Sequence, residues 1–317
     1  MSISDRVLDA SPFHPGERAI QDRVGVRDKM EAVGRRVLRN FMPDQHREFF
    51  AMLPFLVLST VDDSGWPTAS IVTGALGFAS TPDATTLRIR ARPLPGDAAG
   101  VNLKPGRDIG IVGIDFATRR RNRANGIVTA VDDGGFDVRV MQSFGNCPKY
   151  IQARAWRAAT EDEQGPLEIE EGGDLGAAER AMIAAADTFF IATALGHSDE
   201  LGYGVDASHR GGLPGFVRVE GERTLSVPDF SGNLYFNTLG NLLLNPRSGL
   251  LFIDFTTGAT LQLAAEAEIV WDGPEVAAVA GAQRLVRFHV ARWRHVHSAL
   301  PLRWHFRGYS PFLERPA

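Results

Sequence analysis

The sequence predicts a mainly β protein with flanking helices, in which one small β fold occurs twice in tandem and the copies form a pseudo-twofold pair. Three observations carry that prediction. Short apolar runs bounded by Gly, Pro or Asp recur at close spacing along most of the chain, the pattern of barrels and sandwiches rather than of βαβ units. GIVGIDFAT, residues 110 to 118, matches GLLFIDFTT, residues 249 to 257, without a gap, and the Gly, Ile-Asp-Phe and Thr positions coincide. The length, 317 residues, suits two domains better than one, because single cores stop growing near ~250 to 300 residues.

The elements follow in order. Residues 1–45 read as a helical segment, with disorder expected only in the first dozen residues. Between Val26 and Phe41, Val26, Met30, Val33, Val37 and Phe41 recur at steps of three and four and mark one helix face, opposite Arg35, Arg36 and Arg39. Pro43 ends that helix, and Asp44 is placed to cap a second one. Residues 46–160 form the first β unit. It opens with PFLVLSTVDDSGWPTASIVTG, a hairpin turning at Asp62 to Gly65, and continues through TLRIRA, DIGIVGIDFA, GIVTAVDD and FDVRVMQSF. An acidic linker is expected over residues 161–175, where seven carboxylates and no Lys or Arg repel one another between Glu161 and Asp174. Residues 176–317 form the second unit, from the helix-favouring GAAERAMIAAAD through TFFIATAL to the long strand QRLVRFHVARWRHVH.

Composition narrows the function classes. A formal net charge of -4 argues against a nucleic-acid partner, which generally requires a basic domain. The single cysteine, Cys147, excludes an internal disulfide and a Cys-based zinc site and fits a reducing compartment. The N-terminus lacks the apolar core of a secretion signal, and no run of eighteen apolar residues occurs, so a cytoplasmic protein without a membrane partner is expected. P-loop, G-x-S-x-G and H-E-x-x-H patterns are missing.

Four stretches offer chemistry. RRRNRANG, residues 119 to 126, lies over GATLQLAA in the repeat alignment, and strand alternation would put Arg119, Arg121 and Arg123 on one face, toward an anion or toward solvent. In SHRGGLPGF, residues 208 to 216, Ser208, His209 and Arg210 stand beside two glycines that allow close backbone approach. This suits a phosphate, the alternative being a solvated hairpin. FNTLGN supplies Asn237, Thr238 and Asn241 at a helix start, where free N–H groups favour anions, though Thr238 as a simple cap explains the pattern equally. In SFGNCPKYIQAR, a Gly-Asn-Pro turn would project Lys149 and Tyr150 at the interface of the two units, while Cys147 reads as a small buried residue. His295 and His297 point the same way on a strand, without a further ligand at metal spacing, and no metal site is expected. No residue is identified as catalytic.

FLVLSTVDDSGWPTASIV with its D-x-x-G-x-P turn, LYFNTLGNLLLNPRSGLLFID around "N-P-R", and the stretches RRRNRANG, SFGNCPKYIQAR and SHRGGLPGFV together resemble the pyridoxamine 5′-phosphate oxidase-like flavoproteins, in particular a two-barrel branch. The resemblance implies two tandem FMN-binding split β-barrels, with FMN across the barrel interface and its phosphate met by Arg, Lys, Ser or Thr. It also implies oxidoreductase activity on a small-molecule substrate with an electron donor. Pairing with a second copy of the chain stays open. In FNTLGNLLLNPR the family's lysine is missing, Gly240 and Asn241 standing there, so the likeness points to FMN binding more than to pyridoxamine phosphate oxidation. Some split barrels hold haem instead, and the histidine-rich end keeps a haem-binding or non-enzymatic protein as the alternative.

Overall fold

The computed structural model describes residues 11–195 and 204–313, so most of the expected disordered N-terminus lies outside the described residues. Three helices open the described chain: α1 (Pro15–Arg23), α2 (Arg27–Val37) and α3 (Asp44–Ala51). A capping box starts α1: His14 accepts the Gly16 N–H, and Glu17 reaches back to the His14 N–H. The α2 helix stops short of the predicted Phe41, because Leu38 turns extended and Arg39 pairs with Ser143 as an isolated bridge. Asp44 begins α3 but makes no side-chain cap, a correction to its expected role.

A seven-stranded antiparallel sheet follows, built from β1 (Phe55–Val61), β2 (Pro67–Thr73), β3 (Ala79–Ser80), β4 (Thr86–Ile89), β5 (Asp108–Asp115), β6 (Arg120–Asp132) and β7 (Gly135–Gly145). A short helix α4 (Ala99–Asn102) links β4 to β5. The strand order is β2-β1-β5-β6-β7-β4-β3. All seven strands contribute to a single core, from Leu56 and Leu58 through Ile109 and Ile111 to Val138 and Val140.

After β8 (Ala153–Ala158), β9 (Glu168–Gly172) and α5 (Ala177–Ala185), a second sheet uses β10 (Thr188–Ala194), β11 (Val205–Gly211), β12 (Arg218–Glu220), β13 (Thr224–Phe230), β14 (Arg247–Ile253), β15 (Thr260–Val270) and β16 (Ala282–His297). Helix α6 (Asn237–Leu244) links β13 to β14, and a four-residue helix α7 (Pro274–Ala277) links β15 to β16. The order β11-β10-β14-β15-β16-β13-β12 is that of the first sheet with every strand number raised by nine. Neither path returns to its first strand, so by hydrogen bonding each sheet is open rather than a closed barrel. A final strand, β17 (Leu302–Gly308), pairs with β8 and sets Trp304 opposite Trp156.

The acidic stretch carries a strand where a linker was expected. β9 pairs with the far end of β16, where Glu171 meets Arg294 at 3.5 Å and Glu170 meets His297 at 3.4 Å. Bases on the neighbouring strand offset the mutual repulsion of the carboxylates.

The glycine shared by the two repeated motifs has a mechanical role. Gly110 on β5 lies flush on β11, and a Cβ there would come within 2.6 Å of the Val205 carbonyl oxygen. Gly249 on β14 lies flush on β2, where a Cβ would come within 2.5 Å of the Pro67 oxygen. The same backbone-to-backbone contact is thus made twice, once in each direction. Between these seams an apolar layer joins the halves, with Phe55, Val57, Val112 and Ile114 on one side and Phe190, Ala192, Leu251 and Ile253 on the other.

Replacing Gly110 or Gly249 by Ala should lower the urea midpoint by the equivalent of about 1–3 kcal/mol, because backbone and not a flexible side chain must move. Gly100→Ala, in α4 with open space around its Cβ, is the control and should be neutral or stabilising.

Candidate functional site

At the seam where β5 meets β11, strand register brings β6 alongside as well, so that Arg121, Arg123 and Asn125 approach Asp206, Ser208 and His209. Arg123 is fully engaged at its tip. Its Nη1 donates to both Asp206 oxygens at 2.9 and 3.2 Å and to Asn237 Oδ1 at 3.1 Å, and its Nη2 donates to Ser208 Oγ at 2.6 Å. Ser208 also shares hydrogen bonds with Asp206 at 2.9 Å and Thr238 at 2.7 Å. Behind this network the carboxyl of Glu17 accepts from Asn237, and burial raises its pKa well above the ordinary value. Burial likewise pushes His14 down to about 4. His14 and Glu17 stand 3.6 Å apart, and with both neutral forms favoured they make a neutral polar pair more than an ion pair.

Among the described residues Arg121 has no carboxylate partner. Its guanidinium donates to His209 Nδ1 at 3.2 Å, to the His209 carbonyl at 3.3 Å and to the Cys147 carbonyl at 2.9 Å. Burial, then the charges of Arg123 and Arg210, pull its pKa down to about 9. His209 is held well below the usual imidazole range by burial and by Arg121. A neutral imidazole accepting at Nδ1 carries its hydrogen on Nε2, and that buried Nε2 has no partner among the described residues. Arg121 Nε, Arg123 Nε and Asn146 Nδ2 are in the same condition. All four side chains line one cavity of about 80 Å³, with Arg210, Lys149 and Tyr150 also in its wall and no Asp or Glu. A second cavity of about 60 Å³ shares Arg123, Arg210 and Phe230 and reaches Asn237 and Thr238.

The residues singled out in the sequence therefore separate. Arg121, Arg123, Lys149, Tyr150, His209 and Arg210 surround the cavity. Ser208, Asn237 and Thr238 brace it through hydrogen bonds, whereas Asn241 points to Thr193 Oγ1 at 2.9 Å. Arg119 does not share the face of Arg121 and Arg123, because it turns at φ 56° before β6 begins and donates to the Ile151 and Tyr309 carbonyls. Thr238 is not the helix cap, since α6 starts from Phe236 in a left-handed conformation without a side-chain cap. Asp206, Glu17 and Asn146 were missed. Asp206 had a signal, alternating with Ser208 on one strand; Glu17, 189 residues before it in sequence, had none.

The equivalent position at the other seam differs. Arg123 pairs with Val112 on β5 and Gln262 with Leu251 on β14, so Gln262 takes the place of Arg123. It donates to the Ala69 carbonyl, Ser70 and Asp97. By the same register Ile71 and Val72 stand where the first seam has His209 and Arg210. His295 and His297, whose rings are 4.2 Å apart, lie elsewhere, His295 bonded to Glu179 at 2.9 Å. Among the described residues no group of three or more His, Cys, Asp or Glu could hold a metal, and no described helix is long and apolar enough to cross a membrane.

No family model matches the chain, and no curated protein matches it. Solved structures that match include a putative pyridoxamine 5′-phosphate oxidase from Lactobacillus delbrueckii, at 14% identity and TM-score 0.30, covering 38% of this chain and 94% of that one. A single-residue variant of HupZ from Group A Streptococcus matches at 12% identity and TM-score 0.30, over 38% of this chain and 98% of that one. An FAD-binding protein from Mesorhizobium loti matches at 10% identity and TM-score 0.27, over 40% and 97%. TM-scores this low assign no activity to the chain.

The two arginines should respond oppositely to removal. Arg123→Met leaves Asp206 buried and unpaired and should cost about 3–5 kcal/mol in denaturant unfolding, while Arg121→Met removes an uncompensated buried charge and should leave stability unchanged or higher. A second outcome concerns pH. The His14 pKa is depressed in the fold, so the unfolded chain takes up protons the folded chain refuses, and the stability it contributes above pH 6.5 is lost as pH falls toward 4. Between pH 7 and 4.5, His14→Gln should therefore lose roughly 2 to 3 kcal/mol less stability than the parent.

Proposed function

We propose that the chain binds FMN, one molecule per chain, with the phosphate held in the cavity of Arg121, Arg123, His209 and Arg210, and that it acts as an oxidoreductase on a small organic substrate. The observation that carries this reading is the set of buried donors without partners around a cationic, carboxylate-free cavity. A phosphoryl group fits the volume and the donors, and it would return Arg121 to ordinary basicity by supplying the missing negative charge. Arg121 and Arg210 would meet phosphoryl oxygens, with His209 Nε2–H and Asn146 Nδ2–H completing the ring of donors. Arg123 is already neutralised by Asp206 and acts mainly as a brace. The aromatic rings of Tyr150 and Phe230, 5.3 Å apart, form a wall at the open rim against which the remainder of the ligand would rest. Bound flavin supplies hydride and single-electron transfer, and the protein contributes position and charge. The sequence likeness to tandem FMN-binding split barrels supports the choice of FMN among phosphorylated ligands.

The choice of one site per chain is supported by the second seam, where Gln262, Ile71 and Val72 replace Arg123, His209 and Arg210 and Gln262 donates to the Asp97 carboxylate.

Flavin fluorescence during titration should be quenched to a stoichiometry of one FMN per chain. Riboflavin, which lacks the phosphate, and the Arg121→Met protein should each show at least tenfold weaker binding. Absence of FMN binding, or equal affinity for riboflavin, would count against the reading.

A further inference from the structure

A larger cleft, of about 860 Å³, shares no lining residue with the Arg121 cavity. It lies between α5, the turn from β14 to β15, and β17. The two halves explain why it is open. Matching β1 to β10 through their partners on β5 and β14 sets α3 over α5, so that Phe49, Met52 and Arg120 of the first half correspond to Met182, Ala185 and Ala259 of the second. In the first half the Arg120 guanidinium lies 5.1 Å over the Phe49 ring. The smaller residues of the second half leave that room empty, and Met182, Ala185 and Ala259 line the cleft instead.

The wall has a definite chemistry. Trp304, Phe255, Phe306 and Tyr309 supply aromatic faces, and Phe306 is 49% exposed at the margin. Arg154 enters the same wall with its side chain 6% exposed. Its Nη2 is held by both oxygens of Asp187 at 2.5 and 2.6 Å, and its guanidinium lies 4.1 Å from the centre of Phe255. Its Nη1 is buried and has no hydrogen-bond partner among the described residues. A buried guanidinium N–H without an acceptor is costly and is satisfied by an incoming oxygen. The volume is in the range of small-molecule sites, which are mostly apolar with a few placed polar groups.

We propose that this cleft is a second binding site, for a planar aromatic molecule bearing a carboxylate or carbonyl oxygen that is received by Arg154 Nη1. The ring system lies among Phe255, Trp304 and Phe306, and the alanine face of α5 gives it clearance. This assignment stands apart from the FMN reading, because it uses none of the same side chains.

The probe is 1-anilinonaphthalene-8-sulfonate, a flat aromatic anion whose sulfonate stands in for the carboxylate. Its fluorescence with the full chain should titrate to one site. N-phenyl-1-naphthylamine, which has the rings without the anionic group, should bind at least tenfold more weakly. The double variant Met182→Phe/Ala185→Met, which installs the first half's residues, should weaken the sulfonate probe at least tenfold at an unchanged thermal midpoint. Should the double variant misfold, Ala185→Met alone, at an exposed position, carries the same expectation. Arg121→Met should leave probe affinity within twofold, so failure of the FMN reading and failure of this one are separable. Absence of one-site binding, equal affinity for the two probes, or probe binding that survives the filled variant and falls with Arg121→Met would overturn the proposal.

Discussion

The way the two halves meet depends on two glycines that let strands from opposite halves touch backbone to backbone. At Gly110 and Gly249 no side chain separates β5 from β11 or β14 from β2. That proximity brings the neighbouring strand, β6 or β15, within hydrogen-bond reach of the other half. A seam held at side-chain distance would leave Arg123 short of Asp206 and Ser208. The cavity at the first seam is thus a by-product of how tightly the halves are pressed together, and the apolar layer of Phe55, Val112, Phe190 and Leu251 supplies the driving force.

Charge at that seam is distributed unevenly. Arg123 is matched by Asp206, although burial still lowers its pKa, whereas Arg121 sits among dipoles and two like charges and bears the desolvation without a direct counter-ion. Neutral His209 adds a directed donor without adding charge. Strain of this kind at a cavity wall is what an anion relieves on arrival, and the relief appears as affinity.

Much of the architecture was legible in the sequence. The hairpin at Asp62 to Gly65, the strands with Gly and Asp boundaries and the matched motifs all arise from local pattern, and each appears where it was expected. Arg121 and Arg123 were legible as candidates because alternation and the internal alignment marked them, and His209 and Arg210 because two glycines follow them. What escaped has physical reasons. The strand at Glu168–Gly172 reads as linker until the bases of β16 are placed beside it. Arg119 looks like a strand residue until the turn before β6 claims it. Glu17 enters the network through helix packing, Gly16 against Gly240, which no local pattern announces. The aromatic cleft depends on which side chains are absent, and absence becomes visible only when one half is compared with the other.

The two seams are also encoded by different residues. In a dimer of identical chains every substitution at an isologous contact is made twice, and a groove on one side is bound to reappear on the other. Here Arg123 and Gln262 occupy corresponding places in one polypeptide, so either can change without the other. Joining the halves in one chain, with β17 of the second half pairing back onto β8, thereby turns a symmetric scaffold into one whose two seams can diverge separately.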